Sequence, residues 1–270
     1  MSTLPNLLII DTSYYNFYRF YATVTWYKNA HPEEEIQSDY DWIQNTEFME
    51  KFKKLFIENI KKFQKKFKIC KTIFARDCRR ENIWRNHIYK MYKKNRDELY
   101  TKSNFKGGAV FKYSYDSILP ELLNKDDTSQ LKIDCLEADD IIYLTCQKLT
   151  DQYNISIISS DHDLLQIIDG KDNIKLYNAN LKCYNDKSKG SADLDNFCKA
   201  ILGDSSDNID KVFEKVGPKT AIKLYNDRNL LLKKFEEQPD SFHRYCVNRS
   251  LVDFKYIPDI YIDLFDQLCF

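Results

Sequence analysis

The chain has 270 residues, of which 43% are apolar and 30% charged. That is enough to bury the core of one large domain or two small ones. No apolar run approaches the roughly 18–20 residues that cross a bilayer. The opening Met1–Ser13 has no basic, apolar, small-residue leader pattern, so an intracellular chain without membrane contact is expected. The eight cysteines form no Cys-x-x-Cys and no zinc spacing with histidine, which predicts reduced thiols. Only six Gly and six Pro exclude a disordered or collagen-like chain.

Net charge is zero, but the charges are segregated. Lys51 to Lys106 holds 19 Lys/Arg against 5 Asp/Glu, whereas Asp126 to Asp172 holds 3 against 11. A basic surface suits a polyanion. An acidic concentration suits a divalent cation or is a solvated face.

In chain order, Leu7–Ile10 is a short apolar run ending in Asp11 and predicts a buried strand. Lys28–Asn45 reads as a loop. Phe48, Phe52, Phe56, Ile60, Phe63 and Phe67 recur at three- and four-residue spacing, which predicts an amphipathic helix over Glu47–Lys68. Thr72–Ala75 is a second strand, followed by Asp77. The basic stretch Lys90 to Lys106 interleaves Tyr89, Tyr92, Tyr100 and Phe105, and a helix there puts Lys93 and Arg96 on one face. Basic and aromatic side chains together suit a single strand, although the tyrosines serve equally well as core. Lys102–Gly108 reads as a loop. Glu137–Leu149 predicts a helix, with Asp134 at the N-cap and Glu137 at N3. Ile155–Ser159 is a third strand, followed by Asp161 and Asp163. From about Asp193 the pattern is mainly helical. A β-α-β-α-β order implies an α/β sheet covered by helices.

Each strand ends next to an aspartate. Ligands of open parallel sheets bind outside the carboxyl ends of the strands, so Asp11, Asp77, Asp161 and Asp163 are expected on one edge. Glu137, Asp139 and Asp140 open a helix that can face the same edge, and Asp204 and Asp207 in LGDSSDN add two more. Singly, each has an ordinary reading as a cap or turn residue. Together they repel unless cations are present. An all-oxygen donor set favours Mg²⁺ or Mn²⁺ over zinc, and a pair of such ions suits phosphodiester cleavage.

Six blocks in order resemble the 5′-nuclease superfamily of flap endonucleases, polymerase I 5′-nuclease domains and bacteriophage 5′-exonucleases. They are LLIIDTSYYNFYRFYA, WRNHIYKMYKKNRDELY, LEADD, SSDHDLLQ, LGDSSDNI and VGPKTAIKL. VNRSLVDF at 247–254 is similar to a late segment of the phage enzymes. The resemblance implies a PIN-like, mostly parallel central sheet flanked by helices, with a helical arch and a helix–three-turn–helix DNA-binding lobe. It implies a nuclease core over 1–190, a basic gateway at about 82–118 and a DNA-binding helical region over 191–270. It implies two Mg²⁺, with Mn²⁺ as substitute: Asp11, Asp77, Glu137 and Asp139 around the first, Asp161, Asp163, Asp204 and Asp207 around the second, and Asp140 beside them. Lys93, Arg96 and Arg85 match the basic residues at the scissile phosphodiester, with Trp84 replacing a Phe before Arg85. Arg19, Lys90, Lys94, Lys102, Lys106, Gly217, Lys219 and Thr220 are expected to contact DNA.

The implied function is structure-dependent hydrolysis of DNA at a 5′ flap, 5′ overhang or junction, by a monomer, in replication, repair or recombination. No sliding-clamp motif is evident. One departure is Lys215, which stands where the family's hairpin has a first Gly, a costly exchange if the position needs positive φ. Other readings are a PIN-type ribonuclease, which usually ends before a helix–three-turn–helix, and an inert DNA-binding protein. A dehalogenase-like phosphatase would put its Asp-x-Asp on the first strand, not the third.

Overall fold

Leu7, Leu8, Ile9 and Ile10 are all fully buried, so their strand needs cover on both faces. The computed structural model describes residues 4–96, 105–125, 127–188 and 190–269. Its elements run β1 (Asn6–Asp11), α1 (Thr12–Ala30), α2 (Thr46–Phe67), β2 (Lys71–Ala75), α3 (Arg85–Ile88), α4 (Gly108–Tyr113), α5 (Leu119–Leu123), β3 (Thr128–Leu131) and α6 (Ala138–Leu149). They continue through β4 (Asn154–Ile158), α7 (Leu165–Ile168), β5 (Ile174–Tyr177), α8 (Ala192–Leu202), α9 (Pro218–Asn226), α10 (Arg228–Glu237), α11 (Asp240–Val252) and α12 (Asp259–Cys269).

The five strands form one parallel sheet in the order β3-β2-β1-β4-β5. The chain builds outward from β1 to β3, then returns to the other side of β1. The order therefore reverses between β1 and β4, where open α/β sheets place their ligands.

Side-chain alternation assigns the two faces. Leu7 and Ile9 join Ile73, Ile155 and Ile157 under α6 and α12. Leu8 and Ile10 join Phe74 and Ile158 under α1 and α2, where Phe48, Phe52, Phe56, Ile60 and Phe63 are all buried. Each such side chain contributes about 1.5–3 kcal/mol of burial. A third small core of Phe197, Val212, Phe213, Val216 and Leu224 ties α8 to α9.

Three expectations change. The reading found three strands, whereas β3 and β5 complete the sheet at its edges. Each has only four residues, and Thr128–Leu131 is mostly polar, so neither shows an apolar run. The segment read as a loop from Lys28 begins with the end of α1, which reaches Ala30. The cap of α6 is one turn later than expected. Glu137 is the N-cap and Asp140 closes the capping box, because Leu136 and Cys135 accept backbone bonds from Cys78 (3.0 Å) and Trp84 (3.0 Å) and stay outside the helix. Asp134–Glu137 and Glu137–Asp140 have the same spacing, and only the tertiary bonds choose between them.

All eight cysteines are free. No helix among the described residues is long and apolar enough to cross a membrane.

Candidate active site

Asp11 ends β1 and also caps α1. Its Oδ1 accepts from the Tyr14 amide (3.0 Å) and its Oδ2 from Ser159 Oγ (2.9 Å), which follows β4. Asp77, two residues after β2, accepts from Ser13 Oγ and from the Ala138 amide (2.9 Å) at the start of α6. The carboxyl ends of three strands and the N-terminus of α6 thus meet where the sheet order reverses. Asp161 accepts from the Asp163 amide (2.8 Å) and caps a short turn of helix after β4.

The carboxylates fall into compact groups. Oxygens of Glu137, Asp139 and Asp140 lie within 4.8 Å of one another, as do those of Asp163, Asp204 and Asp207. Asp204 and Asp207 sit in a tight turn closed by reciprocal backbone bonds between Asp204 and Ile209, both 2.8 Å. Gly203 enters that turn at φ +69°, and a Cβ there would lie 2.4 Å from the Ile209 carbonyl. Gly203→Ala is therefore expected to cost about 2 kcal/mol, read by urea unfolding. An unchanged midpoint would show that the turn gives way freely.

Lys93 and Arg96 lie above these acids, though not on the continuous helix expected. Lys93 has φ +55° and interrupts the segment after α3. The segment is instead sewn to the acidic turn. The Lys93 amide donates to the Asp207 carbonyl (2.9 Å), Asn95 Nδ2 to the Ser205 carbonyl (2.6 Å), and Asn208 Nδ2 to the Met91 carbonyl (2.7 Å). Lys93 Nζ then reaches Glu137 Oε1 (2.5 Å) with Asp207 Oδ2 at 3.9 Å, and Arg96 pairs with Asp207 Oδ1 (2.5 Å). The left-handed backbone at Lys93 is strain held at a site by surrounding bonds.

Three residues read as active or DNA-facing are interior. Arg85 is 1% exposed and binds Glu137, both oxygens of Asp140 and, through Nε, the Leu251 carbonyl (2.8 Å). Asp140 is 0% exposed, and its Oδ2 also accepts from Trp84 Nε1 (3.0 Å) and from the Glu137 amide (3.0 Å), so both its oxygens are committed. These two position Glu137. Arg19 is 4% exposed and donates to the Leu55 carbonyl between α1 and α2, so it has no face to offer a strand. Of the interleaved aromatics, Tyr92 has the core role and Tyr89 and Phe105 are half-buried. Tyr92 is buried with its hydroxyl on Glu137 (3.1 Å), and Phe105 packs on Phe17, Phe20 and Phe111. Lys90, Lys94, Lys106 and Lys219 are exposed, and Lys90 and Lys94 line an open cleft of about 660 Å³ with Arg80. Gly217 and Thr220 are half-buried at the N-terminus of α9. Lys102 and Tyr100 lie outside the described residues. Lys215 does have positive φ, +55°, the conformation that a Gly would take more cheaply.

Residues 6–195 match the family described as 5′-3′ exonuclease, N-terminal resolvase-like domain. The chain belongs to the 5′-3′ exonuclease family. It is 31% identical over 220 residues to the ribonuclease H of Enterobacteria phage T4, covering 74% of this chain and 70% of that protein. It is 33% identical over 181 residues to the 5′-3′ exonuclease of Buchnera aphidicola, covering 63% of this chain and 57% of the relative. Its fold matches the bacteriophage T5 5′-exonuclease with bound divalent zinc (TM-score 0.69, 20% identity, 97% and 96% of the two chains). It also matches the T5 flap endonuclease in a complex with DNA and metal ions (TM-score 0.67, 18% identity, the same coverage).

The carboxylates are held at unequal pKa values. Burial, then the neighbouring Asp77, pushes Asp11 up to about 7, and the Tyr14 amide and Ser159 offset this only in part. Burial with Glu137 and Asp140 raises Asp139 well above the usual range. Burial with Asp163 raises Asp161. Burial also opposes ionised Glu137 and Asp204, but Lys93 and Arg85 bring the first down to about 2, and Lys199 with Ser206 brings the second to about 2. Asp11, Asp139 and Asp161, the three raised, have no Lys or Arg ion pair among the described residues, and an all-oxygen donor set with raised carboxyls fits a hard divalent cation.

A pH dependence follows. From about pH 4 to about pH 7 the unfolded chain has ionised Asp11 while the folded chain keeps the proton, so the metal-free fold loses stability as pH rises through that window. Glu137 acts oppositely, but only below its ordinary 4.5. A bound cation removes the cost at Asp11. The gap in thermal midpoint between protein in Mg²⁺ and in EDTA is expected to widen from about pH 5 to about pH 7 and then level off. A gap independent of pH would separate Asp11 from the cation.

Sequence reasoning missed the residues that hold the acids. Ser13 and Ser159 adjoin Asp11 and Asp161 in DTS and SSD, and that adjacency was the available signal. Asn248 binds the Ala200 (2.8 Å) and Asp210 (2.7 Å) carbonyls, so the late VNRSLVDF segment braces the acidic turn. Lys199 precedes Asp204 by five residues and pairs with it, which only the folded turn brings about.

Proposed function

We propose that the chain is a divalent-cation-dependent 5′-nuclease that hydrolyses DNA phosphodiesters at 5′ ends and at junctions of single strand with duplex. The observation that carries this is the convergence of Asp11, Asp77, Asp161 and the α6 acids on one sheet edge, with Lys93 and Arg96 sewn above them. Asp11, Asp77, Glu137 and Asp139 hold the first cation, and Asp161, Asp163, Asp204 and Asp207 the second. Bound there, Mg²⁺ or Mn²⁺ supplies an ionised water and charge neutralisation on the leaving oxygen. Lys93 and Arg96 place positive charge beside the attacked phosphate, where it stabilises charge that develops in the transition state. Arg85 and Asp140 orient Glu137 and Lys93. Exposed Lys90, Lys94 and Lys106 attract the strand, and the α9 N-terminus at Gly217, Lys219 and Thr220 takes a phosphate of the duplex. Residues 82–118 form the gateway, and 191–270 the DNA-binding and C-terminal helical part, the last helix of which packs on the sheet core.

The test is cleavage of a 5′-labelled flap duplex, a matched RNA–DNA hybrid and a single-stranded RNA, each with and without Mg²⁺. Junction- and Mg²⁺-dependent DNA cutting is expected. The named activity of the phage T4 relative favours a second reading, removal of RNA from the hybrid. Cutting of single-stranded RNA without regard to a junction would replace both.

A further inference from the structure

The second acid group already contains a cation of its own. Lys199, in the last turn of α8, puts its Nζ between Asp163 Oδ2 and Asp204 Oδ2, the latter at 2.9 Å. The other oxygen of Asp204 accepts from the amide (2.8 Å) and hydroxyl (2.6 Å) of Ser206. Lys199 therefore takes the one oxygen of Asp204 that Ser206 leaves open toward Asp163. Asp207, the third acid of this group, is held by Arg96 at 2.5 Å.

Asp11, Asp77, Asp139 and Asp161 differ, whereas Glu137 does not: Lys93 and Arg85 hold its two oxygens. Among the described residues, no Lys or Arg forms an ion pair with Asp11, Asp77, Asp139 or Asp161. A divalent ion that reaches those carboxylates displaces no charged side chain. One that reaches Asp163 and Asp204 must displace an ammonium. The exchange replaces one positive charge by two, so the net electrostatic gain is about half that at an unpaired site.

We propose that Lys199 is a built-in competitor for the second divalent cation: it holds Asp163 and Asp204 together in the metal-free protein and has to swing out before a cation can bind them. The inference rests on the two-cation reading of the site. Lys199 has room to leave. It is 21% exposed beside a cleft of about 430 Å³ lined by Asp163, Gly203, Asp204 and Ser205. Its four-carbon stem is flexible, and an ammonium is readily rehydrated. Two consequences follow. The second cation binds more weakly than it would without Lys199. The acidic turn stays formed without metal, because Lys199 neutralises it.

The experiment is calorimetric titration of Mn²⁺ into the full chain and into Lys199→Met and Lys199→Gln, with thermal unfolding of all three in EDTA and in Mn²⁺. The wild-type chain is expected to show two classes of site. In both variants one class tightens by about tenfold, the scale of one half-buried ion pair removed from the competition, and the other class is unchanged. Their midpoints in EDTA fall, and the rise on adding Mn²⁺ is larger than in the wild type. Mn²⁺ binding that tightens in neither variant, or loosens, would overturn the inference, since Lys199 would then be indifferent or would shape the ligands. A wild-type chain that binds no Mn²⁺ overturns the two-cation reading itself, which is a separate result.

Discussion

Asp11→Asn is expected to lose cation-dependent cleavage by about 10³-fold or more, because a lost cation removes about 4 kcal/mol of transition-state stabilisation. The substitution is a clean one. Asn caps a helix as well as Asp, so its oxygen can still accept from the Tyr14 amide and α1 keeps its first turn. The same variant is expected to be more stable than the wild type in EDTA at pH 8. There the wild-type chain bears an ionised carboxylate whose pKa burial and Asp77 hold at about 7, and the amide bears none. In Mg²⁺ the order reverses, since only the wild type gains from the cation. Single-turnover cleavage and thermal unfolding in the two buffers check both halves. Full turnover by the variant would remove Asp11 from the cation site. A loss of turnover with lower stability in EDTA would mean that the fold was damaged instead.

Lys93→Ala has the second large effect, a fall in kcat of about 10²–10³-fold with KM changed much less. Lys93 is half-buried and held to one place by its amide bond to Asp207 and its side-chain bond to Glu137. A charge so preorganised acts on the transition state more than on substrate binding. Removing it also takes one of two cationic partners from buried Glu137, which keeps Arg85, and the lost charged hydrogen bond costs about 2 kcal/mol of stability. The Ala side chain does not by itself relieve the left-handed backbone at this position. Steady-state kinetics on a labelled flap, with urea unfolding alongside, gives both numbers. A rise in KM at constant kcat would make Lys93 a steering charge.

Much of the site could be read from the chain because strands and acids adjoin in sequence. An apolar run that ends in Asp puts that Asp at the sheet edge, whatever the rest of the fold does. Asp11, Asp77, Asp161 and Asp163 were legible for that reason. The basic residues were legible by type but not by place. Arg85, Lys93 and Arg19 are alike in sequence, and one is a buried counter-ion, one lies over the acids and one is wedged between two helices. Nothing local distinguishes them, because burial of an arginine depends on which carbonyls and carboxylates the fold brings to it.

The sequence alone determined the apolar strands, the phenylalanine face of α2 and the helical C-terminal third, since each is carried by neighbours within a turn or a strand, and it determined the family through six motif blocks in order. Tertiary structure decided the edge strands β3 and β5, the cap of α6, the left-handed turn at Lys93 and the pairing of Lys199 with Asp163 and Asp204. Apart from the five-residue step from Lys199 to Asp204, the deciding contact in each of these joins residues far apart in the chain, and its energy exceeds the small local preference that the sequence expresses.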